Sequence, residues 1–127
     1  MAEVKRAERP LSPHIQIYRI QITSVSSILT RITGTAIIVA VIMAVGWLLA
    51  AAMSDSYFAT ANAVATGWFG DLVFTLSLLW VWYHYLAGLR HLYFDAGRGL
   101  DIKTAERLGW GFIIGSLVLT VLTLNVI

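Results

Sequence analysis

Two histidines in the second half of the sequence are the residues best suited to chemistry. At about 100° per residue, a helix through this region would carry both on one face. That face holds His84, Gly88, His91 and Asp95. His84 lies within a long apolar run, where an imidazole is costly unless it faces a protein interior. We therefore interpret His84 as a candidate ligand, with an interhelical hydrogen bond as the alternative role.

Haem is the ligand that this face suits on chemical grounds. Neutral imidazole is a good axial ligand for haem iron, and Gly88 leaves room one turn away for a flat macrocycle. His84 and His91 are separated by about 10 Å of helical rise, whereas two axial ligands of one iron are about 4 Å apart. His14, before the first apolar run, is too distant. A six-coordinate haem would therefore need its second ligand from another polypeptide.

A second set of polar residues precedes the first apolar run. Spacings of three and four place Ser24, Ser27, Arg31 and Gly34 on one helical face. The first interpretation is a polar pocket at the membrane edge. The alternative is that the hydroxyls bond backbone carbonyls while Arg31 extends to lipid phosphate.

Three apolar runs must position these residues. Each reaches the roughly 20 residues needed to cross a bilayer, and backbone amides in lipid must bond within their own segment, which favours helices. We predict an all-α integral membrane bundle of three transmembrane helices, with a short amphipathic or interfacial segment at the N-terminus beginning near Ser12. The predicted spans are 32–53, 66–91 and 108–127, preceded by a segment 1–31 that includes the start of the first helix and connected by 54–65 and 92–107.

The composition agrees with a membrane location. Hydrophobic residues make up 58% of the 127 residues and charged residues only 13%, against roughly a quarter charged in soluble domains. Cysteine is absent, which excludes disulfides, thiolate zinc sites and a cysteine-ligated iron–sulfur cluster within this chain. Any such centre would belong to a partner.

The distribution of basic residues predicts the orientation. All nine lie before the first span, at the end of the second span (Arg90) or between the second and third, and 54–65 has none. By the positive-inside rule, the N-terminus and 92–107 face the cytoplasm, while 54–65 and the C-terminus face the periplasm. The net charge of +2 is thus a topology signal. Because no basic cluster has interleaved aromatics, we expect membrane lipid and no nucleic acid as a partner.

Three stretches of the sequence resemble the cytochrome b556 membrane-anchor subunit of bacterial succinate dehydrogenase. The likeness extends over nearly the whole chain. Its most specific part is Ser-x-x-x-Arg at Ser27, followed in the second span by His-x-x-x-Gly-x-Arg-His-x-x-x-Asp at His84. The stretches are RPLSPH at 9–14, SILTRITG at 27–34 and HYLAGLRHLYFD at 84–95.

The resemblance implies particular roles for four of these residues. His84 would be an axial ligand of haem b, shared with a second small membrane subunit. Ser27 and Arg31 would line a ubiquinone site, and Arg31 and His91 would lie near the haem propionates. This sequence has Thr30 where the family commonly has histidine. A propionate contact is then lost or replaced.

The resemblance also implies an assembly in the bacterial inner membrane. A flavoprotein subunit would oxidise succinate, and an iron–sulfur subunit would pass the electrons to ubiquinone. This chain would be a non-flavin subunit, inactive by itself. Two alternatives remain open at this point: an anchor of a quinol:fumarate reductase, and a haem-free structural anchor of a peripheral enzyme.

Overall fold

The computed structural model describes residues 12, 14 and 17–126. It contains four helices, of which the first, third and fourth are 32, 28 and 25 residues long and apolar enough to cross a membrane. The predicted all-α bundle with three spans is therefore confirmed. The predicted N-terminal interfacial segment lies largely outside the described residues. The helices are α1 (Ile22–Met53), α2 (Asp55–Ala65), α3 (Trp68–Asp95) and α4 (Ile102–Val126).

Helix α1 begins at Ile22, ten residues before the first predicted span. At 1.5 Å per residue its 32 residues extend about 48 Å, well beyond the roughly 30 Å of a hydrocarbon core. Hydropathy identifies the part of a helix that lies in lipid. It does not detect helical turns that continue into the headgroup region. The added turns carry Ser24 and Ser27, so both belong to a continuous helix.

The segment 54–65, predicted only as a connection between spans, is almost entirely helical. The Ser54 hydroxyl accepts a hydrogen bond of 3.3 Å from the backbone of the first turn of α2, a favourable N-cap. Trp47 donates from Nε1 to Asn62 Oδ1 at 3.2 Å, and its ring lies 5.8 Å from that of Phe58. These contacts fold α2 back against α1.

The connection from α3 to α4 is a tight turn with a defined cap at each end. Gly97 adopts a φ of 71°, and the backbone amides of Gly97 and Arg98 donate to carbonyls of the last turn of α3 at 2.8 and 3.2 Å, a Schellman motif. Asp101 then caps α4 by accepting a hydrogen bond of 2.9 Å from the Thr104 amide. Hydrogen bonds from Thr104 lower the pKa of the Asp101 carboxyl.

Helix α3 is central because it packs against both α1 and α4. Small residues allow the close approach: Ala87 of α3 is fully buried, and Gly115 of α4 faces Leu86. Most large apolar side chains are instead exposed on the outside of the bundle. Such a surface suits contact with lipid or with other membrane subunits. The packing also brings the start of α1 beside the second half of α3, where His84 lies.

Candidate functional site

The His84 ring is half-buried between α3 and α1. Its Nδ1 lies 3.0 Å from the backbone carbonyl oxygen of Thr30 and 3.4 Å from the Thr33 hydroxyl. A carbonyl oxygen can only accept, so Nδ1 must carry the proton and donate it. In the neutral imidazole the other nitrogen, Nε2, then keeps its lone pair. A histidine held in this way by one nitrogen is oriented to bind a metal through the other.

Gly34 makes this contact possible. A Cβ built at Gly34 would lie 2.8 Å from Cε1 of His84, closer than two carbon atoms can pack. One turn along α3, a Cβ at Gly88 would meet nothing within 4 Å. The imidazole is therefore tightly held on one side, and open space lies beside the helix next to it.

These surroundings fit a haem iron better than a metal ion held by protein alone. Within the described part of the chain, no group of three or more acidic, histidine or cysteine side chains comes together to bind a metal. A single free imidazole nitrogen can ligate iron whose other ligands come from a macrocycle and a second polypeptide. His84 and the open space at Gly88 match that requirement.

Replacing Gly34 by alanine is expected to destabilise the α1–α3 contact by about 1–3 kcal/mol, because the His84 ring or the helix must shift. Gly46→Ala is the matched control on the same helix, since a Cβ there meets nothing within 4 Å. Thermal unfolding of the purified assembly measures the difference. Equal unfolding temperatures for the two variants would show that His84 tolerates the added methyl group at no cost.

The predicted histidine face of α3 passes from the interior to the surface. His84 and Gly88 are half-buried, while His91 and Asp95 are exposed. His91 thus has the accessibility to contact a group from outside this chain. Its predicted place near haem propionates stays a prediction.

The predicted polar face of α1 is divided by the packing. Gly34 contacts His84 and Ser27 is half-buried, whereas Arg31 is exposed. Arg31 borders a shallow, open groove on the exposed side of α1, which is lined by residues of this helix alone: Ile32, Thr35, Ala36 and Val39. A cation beside an apolar groove can contact an amphipathic molecule or a partner lying against this side of α1.

The side chain of Thr30, the residue that departs from the resemblance, bonds within its own helix. Its hydroxyl donates to the carbonyl of Ser26 at 2.8 Å. The residue contacts His84 through its own carbonyl alone. Thr30 therefore supplies a backbone acceptor to the site and keeps its hydroxyl in the helix.

A buried polar cluster that the sequence analysis missed joins α1 to α3. Ser26, Tyr83 and Arg90 are 0%, 5% and 4% exposed. Arg90 Nη1 donates to Ser26 Oγ at 2.6 Å, and the Tyr83 hydroxyl lies 3.0 and 3.1 Å from the carbonyl and hydroxyl oxygens of Ser26. The spacing of Tyr83, Ala87 and Arg90 by four and three residues places them on one face of α3 and could have indicated that they pack together. In the sequence, Arg90 is recognisable as a topology charge and as part of the motif that begins at His84, but not as a buried residue.

Comparisons with known proteins agree with these features. Residues 5–123 match the family model described as succinate dehydrogenase/fumarate reductase transmembrane subunit. The chain is 48% identical over 126 residues to the succinate dehydrogenase cytochrome b556 subunit of Paracoccus denitrificans, covering 99% of this chain and 97% of the relative. The corresponding subunit of Rickettsia conorii is 37% identical, with 91% and 90% covered. The mitochondrial cytochrome b560 subunit of Sus scrofa is 34% identical, with 92% and 68% covered.

Proposed function

Because this chain belongs to the family of succinate dehydrogenase and fumarate reductase transmembrane subunits, we propose that it is the haem b- and ubiquinone-binding anchor of a succinate dehydrogenase. The observation that carries the proposal is the geometry of His84, whose Nδ1 is held by the Thr30 carbonyl at 3.0 Å and whose Nε2 is left to bind metal. When bound, haem b supplies a one-electron carrier within the membrane. His84 would hold the haem iron through Nε2, and a second small membrane subunit would supply the other protein ligand.

Ser27 and Arg31 form the part of the quinone site that this chain contributes. The Ser27 hydroxyl can donate a hydrogen bond to a quinone oxygen, and the Arg31 guanidinium stabilises negative charge that develops there during reduction. The exposure of Arg31 beside an apolar groove supports this role, because a quinone has a polar ring and an apolar tail. Arg31 and the exposed His91 also provide donors for haem propionates.

The rest of the electron path belongs to other subunits. This chain has no cysteine and therefore cannot ligate an iron–sulfur cluster through thiolates. A flavoprotein subunit oxidises succinate, and an iron–sulfur subunit passes the electrons to ubiquinone at the membrane. The many large apolar side chains exposed on the three long helices are the surface that the second membrane subunit and lipid would cover.

The matching family includes subunits of fumarate reductase, which runs the same redox couple in the opposite direction. The relatives named above are all subunits of succinate dehydrogenase, which favours succinate oxidation. The hydrogen bond between His84 and the Thr30 carbonyl would also be made in a haem-free anchor, but it leaves Nε2 available to bind a metal, which such an anchor would not need. Succinate oxidation with a bound haem is therefore the function we propose.

The orientation proposed is that of a multi-pass protein of the bacterial inner membrane, with the N-terminus in the cytoplasm. All nine Lys and Arg residues lie before the first predicted span, near the end of the second or between the second and third, which is one side of the membrane. We expect a reporter fused at the C-terminus to behave as periplasmic and one inserted at Gly99 to behave as cytoplasmic. If both reporters behaved as cytoplasmic, α4 would not cross the membrane.

A reduced-minus-oxidised optical spectrum of the purified complex tests the proposed function. We expect the absorption bands of a low-spin b-type haem. A complex that contains this chain and reduces quinone without those bands would instead contain a haem-free anchor.

A further inference from the structure

Arg90 is a buried cation whose charge the proposed site does not use. Its side chain is 4% exposed, and its guanidinium donates to the Ser26 hydroxyl at 2.6 Å. The guanidinium carbon lies 5.6 Å from the centre of the Phe94 ring. Nε has no hydrogen-bond partner among the described residues. The contacts of Arg90 within that part of the chain are therefore neutral groups.

The charge of Arg90 is permanent, because a guanidinium keeps its proton in proteins. A buried cation without a paired anion is costly, and such residues inside a membrane bundle commonly serve function. The field of a buried charge is also weakly screened by salt or water, in contrast to the field of exposed Arg98. Arg90 therefore acts on its surroundings more strongly than the cations on the same side of the protein.

His84 lies within reach of this field. The two residues are six positions apart on α3, which corresponds to about 9 Å of helical rise. Both also contact the start of α1, Arg90 through Ser26 and His84 through Thr30. The polar cluster thus holds a permanent positive charge at the same α1–α3 contact that orients His84.

We propose that Arg90 is the buried cation that raises the reduction potential of the haem held by His84. The inference rests on the proposed function. One-electron reduction of the ferric haem to the ferrous form removes one positive charge, so a nearby cation favours the reduced form. With an effective dielectric constant of about 20, Coulomb's law over a separation of about 12 Å, somewhat longer than the helical rise, gives a change of about tenfold in the ferrous-to-ferric ratio.

A redox titration of the purified complex, followed by the haem absorption bands, tests the charge directly. Arg90→Gln is expected to lower the ferrous-to-ferric ratio at a fixed ambient potential about tenfold, equivalent to about 59 mV for one electron. Arg90→Lys keeps the charge, and Ser26→Ala keeps it while removing the hydrogen bond to Nη1. Both should change the ratio less than threefold. Arg98→Gln is the exposed-cation control and should leave the ratio unchanged.

The titrations of these variants distinguish an effect of charge from an effect of packing. A tenfold fall in Arg90→Lys or Ser26→Ala would show that packing, and not charge, sets the potential, and this holds even if Arg90→Gln does not assemble. An unaltered ratio in an assembled Arg90→Gln complex overturns this inference alone. A native complex without haem overturns both it and the proposed function.

Discussion

Replacing His84 by leucine is expected to abolish the low-spin b-type haem spectrum of the assembled complex. Leucine fills a similar volume and favours a helix, so α3 should persist. It lacks the metal-binding nitrogen and the Nδ1 proton that the Thr30 carbonyl accepts at 3.0 Å. The optical spectrum of the purified complex is the measurement. Haem content is a weaker measure, because the partner's ligand and propionate contacts can retain haem after one axial ligand is lost.

His91→Leu is the matched control on the same face of α3. His91 is exposed and two turns away from His84, and its proposed partners are propionates. We expect the low-spin spectrum to persist in this variant with a small shift. An unaltered spectrum in His84→Leu together with its loss in His91→Leu would assign the axial ligand to His91.

Arg31→Leu is expected to lower quinone reduction about a hundredfold while leaving succinate oxidation by an artificial soluble acceptor within about twofold. Quinone reduction should fall by this much because the removal of one donor that stabilises negative charge in a transition state typically lowers the rate about 10²–10³-fold. Succinate oxidation should be unaffected because, in the proposed complex, it takes place in the flavoprotein subunit. The two activities are measured on the same purified preparation.

Arg31→Lys separates the charge of this residue from its shape. Lysine keeps the cation but lacks the planar fork of donors, so partial quinone reduction should return. Parallel loss of both activities in Arg31→Leu would indicate failed assembly. Full quinone reduction in that variant would remove Arg31 from the quinone site.

The three spans could be predicted from the sequence because lipid imposes a length and an apolar composition on every helix that crosses it. His84 could be singled out as a candidate for the same reason, since a polar ring in an apolar run is costly unless it has a functional or bonding role. Helix α2 was not predicted because 54–65 is too short and too polar for a span, although its alanines favour a helix. Its packing depends on Trp47 and Phe58, which lie on different helices.

The polar cluster was hidden for a different reason. Ser26 meets Arg90 only after α1 and α3 have packed in one register, 64 positions apart in the chain. Periodicity assigns residues to faces of one helix and contains no information on which residues of a neighbour lie opposite. The adjacent serine, Ser27, carried the resemblance and lies on the less buried side of the same turn. Packing therefore gave neighbouring serines different surroundings.

The bond from His84 to Thr30 uses a main-chain oxygen, an atom that every amino acid possesses. Mutation at position 30 can therefore replace the side chain without deleting the acceptor that orients the imidazole. The side chain at position 30 can therefore change while the His84 ring keeps its tautomer. An exchange of histidine for threonine at position 30 would therefore leave the orientation of the proposed ligand His84 unchanged.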